Sequence, residues 1–422
     1  MVCHGERNAA ILNARFANCD ASGPRAQRLG FTNMLSFRTF ALFICLAGTA
    51  TLSAAERWRF IMTCDSRGSG ATGINDRILR EMTGEILRSN VDFVLFSGDL
   101  VFGARIGAER FESQLWNWVR IMQPVYDAGI PVYICRGNHE VGDMWDAEPN
   151  EPPDPQDNYA IRWPNVFGNS EYPELRLPDN GPMGEKYMSY TVVHKNALII
   201  ALDQYAGTGH RIVHSVNQSW LDSQLAVNTR PHVFAFGHEP AFRAYHPDCL
   251  DDYPVRRDAL WLSLKAAGTR MYFCGHDHFY DHAWVDDGDG NPDNDIHQFI
   301  VASAGAPFYP WKPPYIGDNS DFKVSQLYHA ERWGYVLVEI DDLSVTMTWM
   351  ERHNSDATQP GIYRPKDVLS YKAAPVPAGK CLIKLKADLN GDCRVDFADL
   401  AILASEWLAP GSPTSPPANA PE

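Results

Sequence analysis

Five times along this chain a short apolar run of strand type ends directly in a turn that carries metal-ligand side chains. Arg270 to Cys274 leads into Gly275-His276-Asp277-His278, and Ile130 to Cys135 leads to Gly137-Asn138-His139-Glu140. Ile61-Met62-Thr63-Cys64 leads into Asp65, Phe93-Val94-Leu95-Phe96 into Gly98-Asp99, and His232 to Phe236 into Gly237-His238. A chain with this layout must bring five strand ends to one edge, which is where open α/β sheets place their binding sites. The collected donors are carboxylates, an amide and imidazoles, with no sulfur ligand. That set suits a pair of Zn, Mn or Fe ions better than a structural zinc.

The chain has 422 residues, enough for one large domain and a small one. Its hydrophobic share of 45% and aromatic share of 12% describe a well-cored protein. The formal charge of −15 argues against a nucleic-acid backbone as partner. An acidic surface also repels anions, so a phosphate site here needs local positive charge, which metals supply.

The amino end follows the export pattern: Met34, then Arg38, the apolar stretch Phe40 to Leu52, and Ser53-Ala54-Ala55. Residues 1–55 are read as a leader, with translation starting at Met34 and cleavage after Ala55. The apolar run falls short of the ~20 residues a spanning helix needs, so no permanent membrane span is expected in the mature chain. The expected location is periplasmic, secreted or cell-surface.

Residues 56–352 alternate strand and helix patterns. Asn75 to Ser89 reads as a helix with Ile78, Leu79, Met82, Ile86 and Leu87 on one face. Glu109 to Met122, Ser219 to Leu225 and Arg257 to Ala267 read as three more. The early alternation predicts a parallel sheet. The later runs Ile296 to Ala302, Gly334 to Ile340 and Ser344 to Met350 read as a meander. The fold class is α/β, a two-sheet β-sandwich flanked by helices. Residues 143–190 read as a long loop, either shaping a cleft or a surface insertion. Residues 353–380, with four prolines, read as a linker. The cysteines Cys64, Cys135 and Cys274 end strands and read as packing residues, Cys64 pointing away from Asp65 by strand alternation. Cys381 and Cys393 read as a candidate disulfide in a small exported unit.

The last unit, 381–409, has calcium-loop spacing. Asp388, Asn390, Asp392, Asp396 and Asp399 stand at loop positions 1, 3, 5, 9 and 12, and Arg394 at position 7 would offer its backbone carbonyl. Cys393 stands where the turn glycine is usual, and Asp399 replaces the longer Glu. A helix over Phe397 to Leu408 follows, with Leu400, Leu403, Trp407 and Leu408 near one face. The unit resembles a single dockerin-type calcium repeat and is EF-hand-like. That implies bound Ca2+ and a cell-surface or cohesin-like partner. Residues 410–422 read as a disordered tail.

Taken together, the five strand-end clusters resemble the calcineurin-like metallophosphoesterase superfamily, with the motif order of purple acid phosphatases. The resemblance implies a four-layer fold and cleavage of phosphate mono- or diesters by a hydroxide activated at two metal ions. It implies Asp65, Asp99 and His278 around one ion, and Asp99, Asn138, His238 and His276 around the other, with Asp99 bridging. It places His139 over the leaving group as a proton donor or charge stabiliser. Two positions depart from the family. Arg67 stands where a ligating His is common, and a guanidinium has no lone pair to offer. Phe102 stands where purple acid phosphatases carry a ligating Tyr. Arg67 is therefore read as a catalytic residue contacting phosphate bidentately, or else as a surface ion pair.

Glu140, Glu239, Tyr280 and His282 border the motifs and read as hydrogen-bonding support for the ligands. Asp203 is given no ligand role. The run Asp287-Gly288-Asp289-Gly290-Asn291-Pro292-Asp293-Asn294-Asp295 reads either as a calcium-binding loop or as an acidic solvated hairpin tip. The leading expectation is an exported metal-dependent phosphoesterase. The alternatives are a catalytically quiet surface or scaffold protein and an accessory of a polysaccharide-degrading assembly.

Overall fold

The computed structural model describes residues 57–68, 70–103, 106–141, 159–205, 214–310, 321–354, 356, 358–375 and 400–403. The expected leader (1–55), the calcium loop 388–399, Cys381 and Cys393 lie outside these.

Two mixed sheets form the frame. The first has the order β13-β12-β11-β1-β2-β3 and the second β10-β8-β9-β7-β6-β5-β4. In the first sheet β1 (Arg57–Thr63), β2 (Phe93–Phe96) and β3 (Val132–Ile134) run parallel, while β11 (Gly334–Asp341), β12 (Ser344–Arg352) and β13 (Tyr363–Lys372) complete it antiparallel. In the second sheet β5 (Ala197–Ala201), β6 (His232–Phe236), β7 (Met271–Cys274) and β9 (Ile296–Val301) are parallel neighbours. Around them β4 (Tyr190–His194), β8 (Tyr280–Asp286) and β10 (Lys323–Ala330) pair antiparallel.

Burial follows the period of two. On β5, Ala197, Ile199 and Ala201 join the core between the sheets, while Leu198 and Ile200 join a second core on the outer face. The same split separates Phe234 and Phe236 from Val233 and Ala235 on β6. Strands covered on both faces read as continuous apolar runs, which is why they were legible in the sequence. Phe60 stacks on Phe93 at 5.0 Å and meets Phe234 of the other sheet edge-on at 5.1 Å. That contact locks the two sheets face to face.

The helices form where the apolar period predicts them. Helix α1 (Asp76–Ser89) is capped by the Asn75 side chain, which accepts from Ile78 N. Its buried arc is Ile78, Leu79, Met82, Thr83 and Ile86; Leu87 falls beyond its edge and is exposed. Helix α2 spans Ala108–Asp127, a turn longer at its end than the apolar pattern suggested. Helix α3 (Tyr159–Phe167) corrects the expected long loop: Trp163, Val166 and Phe167 bury into the core, and Trp163 Nε1 donates to Tyr187 O at 2.8 Å. Helices α4 (Gln218–Ala226) and α5 (Pro254–Ala266) cover the outer core of the second sheet.

Two further expectations change. The run 353–380 is not all linker, because β13 occupies Tyr363–Lys372. Pro365 is compatible with a strand there because β13 is at a sheet edge, where a missing N–H breaks no ladder. The expected meander also splits: β9 belongs to the second sheet, whereas β11 pairs with β1 and β12 in the first. Of the expected C-terminal helix, residues 400–403 are helical, with Leu400 and Leu403 exposed. Among the described residues no helix is long and apolar enough to cross a membrane.

Phe60→Ala removes the ring that joins the two sheets. It should lower unfolding free energy by about 3–5 kcal/mol in urea titration, the range for deleting a buried Phe.

Candidate metal centre

The six expected ligands converge where β1, β2, β3, β6 and β7 end. Each turn bends sharply. Asp65, Asp99, His276 and His278 all sit at positive φ, at 59°, 48°, 75° and 49°. Such backbone costs of order 1–3 kcal/mol per residue and persists only where surrounding contacts over-determine it. Two glycines make room for this. A Cβ on Gly275 would lie 2.3 Å from Asp65 Oδ2, and one on Gly137 would lie 2.3 Å from Asp99 Oδ1.

The donor atoms face one another. Asp65, Asp99 and His278 each bring a ligand atom within 4.8 Å of the others. His278 Nε2 is 3.5 Å from Asp65 Oδ1, and His238 Nε2 is 3.4 Å from Asp99 Oδ1 and 3.0 Å from Asn138 Oδ1. The rings of His238 and His276 are 5.2 Å apart. His238 Nδ1 donates to Ser97 O at 2.8 Å and His278 Nδ1 to Pro307 O at 2.7 Å. Those bonds fix the tautomer, so in the neutral ring Nε2 carries a bare lone pair. Burial, only partly offset by the Asp99 charge, pushes His238 down to about 4, so it is neutral. A bare nitrogen thus faces two oxygens with no proton between them.

Buried polar atoms without hydrogen-bond partners include Asp65 Oδ1 and His276 Nε2. His276 Nε2 lies 3.8 Å from Asp248 Oδ1, close enough for charge attraction and too far for a hydrogen bond. Burial and the Asp99 charge raise the Asp65 carboxyl well above its usual range. Asp99 itself is held low: burial opposes its ionisation, but His139, His238, Arg67 and His278 outweigh it. Burial opposes a charge on His276, but Asp248, Asp277 and Glu239 outweigh it and raise the ring to about 10, so without an ion its Nε2 holds a proton that a cation would displace. Two buried carboxylates, one amide and three imidazoles converging here fit divalent or trivalent cations, and the donor set fits a pair of them.

Supporting contacts hold the turns. Glu140 is buried, and its carboxylate accepts from Asp99 N and Gly137 N at 2.8 Å each and from Val101 N at 3.3 Å. Burial and the Asp99 charge raise it to about 8. Gln204 Oε1 accepts from both His238 N and Glu239 N at 2.7 Å. Asp203 has no ligand role; it pairs bidentately with buried Arg136 at 3.0 and 2.7 Å. Glu239 accepts from His214 Nδ1 at 2.8 Å. Tyr280 and His282 both donate to Asp367 of β13 at 2.7 Å, so they join the two sheets and do not touch the ligands. Gln204 and Arg136 carried no sequence signal, and Asp277 stood in the Gly275–His278 run without a role of its own. Asp277 accepts from Tyr245 N, His246 N and His246 Nδ1, which seats the loop carrying His246 beside His276.

One position differs from simple strand reasoning. Cys64 does not point away from Asp65: its thiol contacts Asp65 Oδ2 and lies 3.1 Å from Ser97 O. The cause is the left-handed turn at Asp65, which ends the alternation. Burial and the Asp65 charge raise this thiol well above its usual range, so it is a donor to Asp65 and no thiolate ligand. Arg67 lies inside the first donor set. Its Nε is 3.2 Å from His278 Nε2 and 3.3 Å from Asp99 Oδ2, and its Nη2 is 3.2 Å from Tyr309 OH. Tyr309 stacks on His278 at 4.4 Å and on Tyr245 at 5.1 Å, walling one side of the centre. His139 Nδ1 contacts Phe102 O, and its Nε2 is 3.9 Å from Asp99 Oδ2.

Residues 72–280 match the calcineurin-like phosphoesterase family. The matched stretch holds Asp99, Asn138, His139, His238, His276 and His278, and begins after Asp65 and Arg67. No curated protein sequence matches the chain. Among solved structures, the purple acid phosphatase PPD1 from yellow lupin (Lupinus luteus) seeds is similar with a TM-score of 0.53 at 14% identity, covering 75% of this chain and 54% of that one. PhoD is similar with a TM-score of 0.53 at 12% identity, covering 76% and 70%. GAP50, the anchor in the inner membrane complex of Plasmodium, is similar with a TM-score of 0.50 at 13% identity, covering 75% and 89%. This chain thus spans about half the length of the lupin phosphatase, and at these identities the likeness shows the fold.

An ion at the first position competes with the Arg67 guanidinium for Asp99 and His278. Arg67→Ala should therefore hold that ion more tightly. Losing charge-assisted bonds worth about 1.5–3 kcal/mol corresponds to roughly ten- to a hundredfold. Metal analysis after dialysis against graded chelator reads this; unchanged retention would remove Arg67 from the first position.

Proposed function

The chain carries a calcineurin-like metallophosphoesterase domain, that of a phosphoric ester hydrolase, and from that premise we propose that it cleaves phosphate mono- or diesters at this centre. The reading rests on His238 Nε2 facing Asn138 Oδ1 and Asp99 Oδ1, with Asp65 Oδ1 and His276 Nε2 buried and unpartnered. In it Asp65, Asp99 and His278 hold one ion, and Asp99, Asn138, His238 and His276 the other. When bound, the ions polarise the phosphoryl oxygens and acidify a water.

The chain's own groups do the rest. Asp99 presents one carboxylate oxygen toward His238 and the other toward Arg67, so it can serve both sides at once. Glu140 holds Asp99 by its backbone. Arg67, anchored on Tyr309, supplies positive charge beside the phosphoryl oxygens. Water that has lost one proton to solvent adds through its oxygen to phosphorus, the bond to the leaving oxygen breaks with its electron pair, and His139 Nε2 delivers a proton there. Because His139 Nδ1 is committed to Phe102 O, donation from Nε2 requires the imidazolium.

We further propose that the protein is exported, on the leader pattern from Met34 to Ala55, and that the 388–399 repeat binds Ca2+. A cohesin-like or cell-surface partner is proposed for that repeat; capture on cohesin modules that survives chelation of calcium would refute it. A second reading, a catalytically quiet scaffold, is favoured by one observation: Arg67 fills the space among the first ion's donors. It predicts no stoichiometric transition metal and no hydrolysis of nitrophenyl phosphates with Mn, Zn or Fe added. A panel of phosphate mono- and diesters with those ions decides between the readings and sets the substrate class.

Two substitutions probe the mechanism. Asp99→Asn weakens the shared ligand and should lose both metal and nearly all turnover, seen by metal analysis and assay. For His139, burial outweighs the Asp99 charge and lowers its pKa below the ordinary 6.5. Its donor form is thus full below that pKa and disappears as pH rises through it. Turnover of poor leaving groups should fall along that limb, and His139→Ala should flatten the limb while keeping metal, with a loss of about 10²–10⁴-fold.

A further inference from the structure

The acidic run between β8 and β9 folds into a tight hairpin tip. Its first half is a chain of side-chain turns: Asp286 accepts from Gly288 N at 2.7 Å, Asp287 from Asp289 N at 3.1 Å, and Asp289 from Asn291 N at 2.7 Å. Asp286, Asp287 and Asp295 each bring a carboxylate oxygen within 4.8 Å of the others. These contacts alone describe a solvated tip. Asp295 is the exception. Its residue is 2% exposed, Trp284 Nε1 donates to its Oδ2 at 2.9 Å, and its Oδ1 is buried with no hydrogen-bond partner. Asp295 thus brings a buried carboxylate, one oxygen of it orphaned, into a cluster with two further carboxylates, which is a strongly unfavourable arrangement without a cation.

The side chain that reaches this pocket is Lys265, from the last turn of α5. Its ammonium contacts Asp287 and lies 2.8 Å from Asp289 Oδ2. It does not reach Asp295 Oδ1, which keeps no partner. Four carboxylates, Asp286, Asp287, Asp289 and Asp295, therefore share one ammonium there. Arg270 does not relieve them, because its guanidinium binds the backbone carbonyls of Pro292, Asp293 and Asp295. Those bonds brace the return arm of the loop and fix Asp295 in place. A rigid, all-oxygen, multiply charged pocket suits a calcium ion, which accepts carboxylates and carbonyls in variable geometry.

We propose that the β8–β9 hairpin is a calcium site built on Asp286, Asp287, Asp289 and Asp295, with Lys265 as the internal cation that the ion displaces. The site is structural. Strand β8 starts at Tyr280, two residues after His278, and runs seven residues away from the catalytic centre, which puts the tip roughly 20 Å from it. Calcium here ties the β8–β9 arm, and Arg270 ahead of β7, into one unit.

Terbium luminescence excited through tryptophan tests this, since Trp284 touches Asp295. The full chain is used with Asp388→Asn and Asp392→Asn, which take the C-terminal repeat out of the count. Sensitised emission that calcium abolishes, and a calcium-dependent rise in melting temperature, are expected. Asp287→Asn with Asp295→Asn should lose both while metal-dependent phosphatase activity is unchanged, so this site and the catalytic reading fail separately. Trp284→Phe should silence the emission and keep the thermal response. Lys265→Met should tighten calcium binding several-fold. If emission persists in the Asp287/Asp295 variant, or if Lys265→Met lowers the melting temperature and calcium does not restore it, the lysine is the cluster's permanent counter-ion and the proposal is wrong.

Discussion

Two carboxylates and three imidazoles, buried and aimed at one another, are the constraint on which this structure depends. Water is largely excluded, so like-charged oxygens and bare ring nitrogens cannot be relieved by solvent. The raised affinity of Asp65 for a proton reflects this, and Arg67 relieves part of it. Only bound cations relieve all of it. The surrounding fold can be understood as what it takes to hold such an arrangement together. Five strands in two packed sheets deliver the donors, and left-handed backbone at Asp65, Asp99, His276 and His278 points their side chains into one space.

The energy that holds those strained turns comes from neighbouring contacts. Glu140 ties the β2 and β3 turns to each other through three backbone amides. Gln204 does the same for the β6 turn through two. Ser97 O and Pro307 O choose the tautomers of His238 and His278. Such second contacts decide ligand orientation as firmly as the ligands themselves. Further out, Phe60 against Phe93 and Phe234 keeps the two sheets, and so the strand ends, in register.

Arg67 gives the centre an unusual balance. A histidine at that place would offer a lone pair; the guanidinium brings charge instead and spends it on Asp99 and His278. In the proposed reading the same side chain meets a phosphoryl oxygen and opposes the first ion. Tyr309 holds its far end, so the aromatic wall and the cation act together. The far hairpin repeats the theme on a smaller scale, with Lys265 standing among carboxylates that outnumber it.

The strand ends and their ligands were legible because chemistry and backbone period coincide there: an apolar run of four or five residues, then Asp, Asn or His beside glycine. Helices α1, α2, α4 and α5 were legible by their apolar arcs, whereas α3 was hidden in a Pro- and Asp-rich stretch and β13 behind prolines that only an edge strand tolerates. Strand alternation misplaced Cys64 because it assumes extended backbone, and Asp65 turns left-handed. The sequence by itself determined which side chains can offer a donor atom to a cation, since only certain residue types carry lone pairs and tight turns need glycine. Tertiary structure alone decided which donors face which, where Arg67's charge goes and which buried groups brace the site. Those depend on contacts between residues far apart in the chain, and local periodicity carries no record of them.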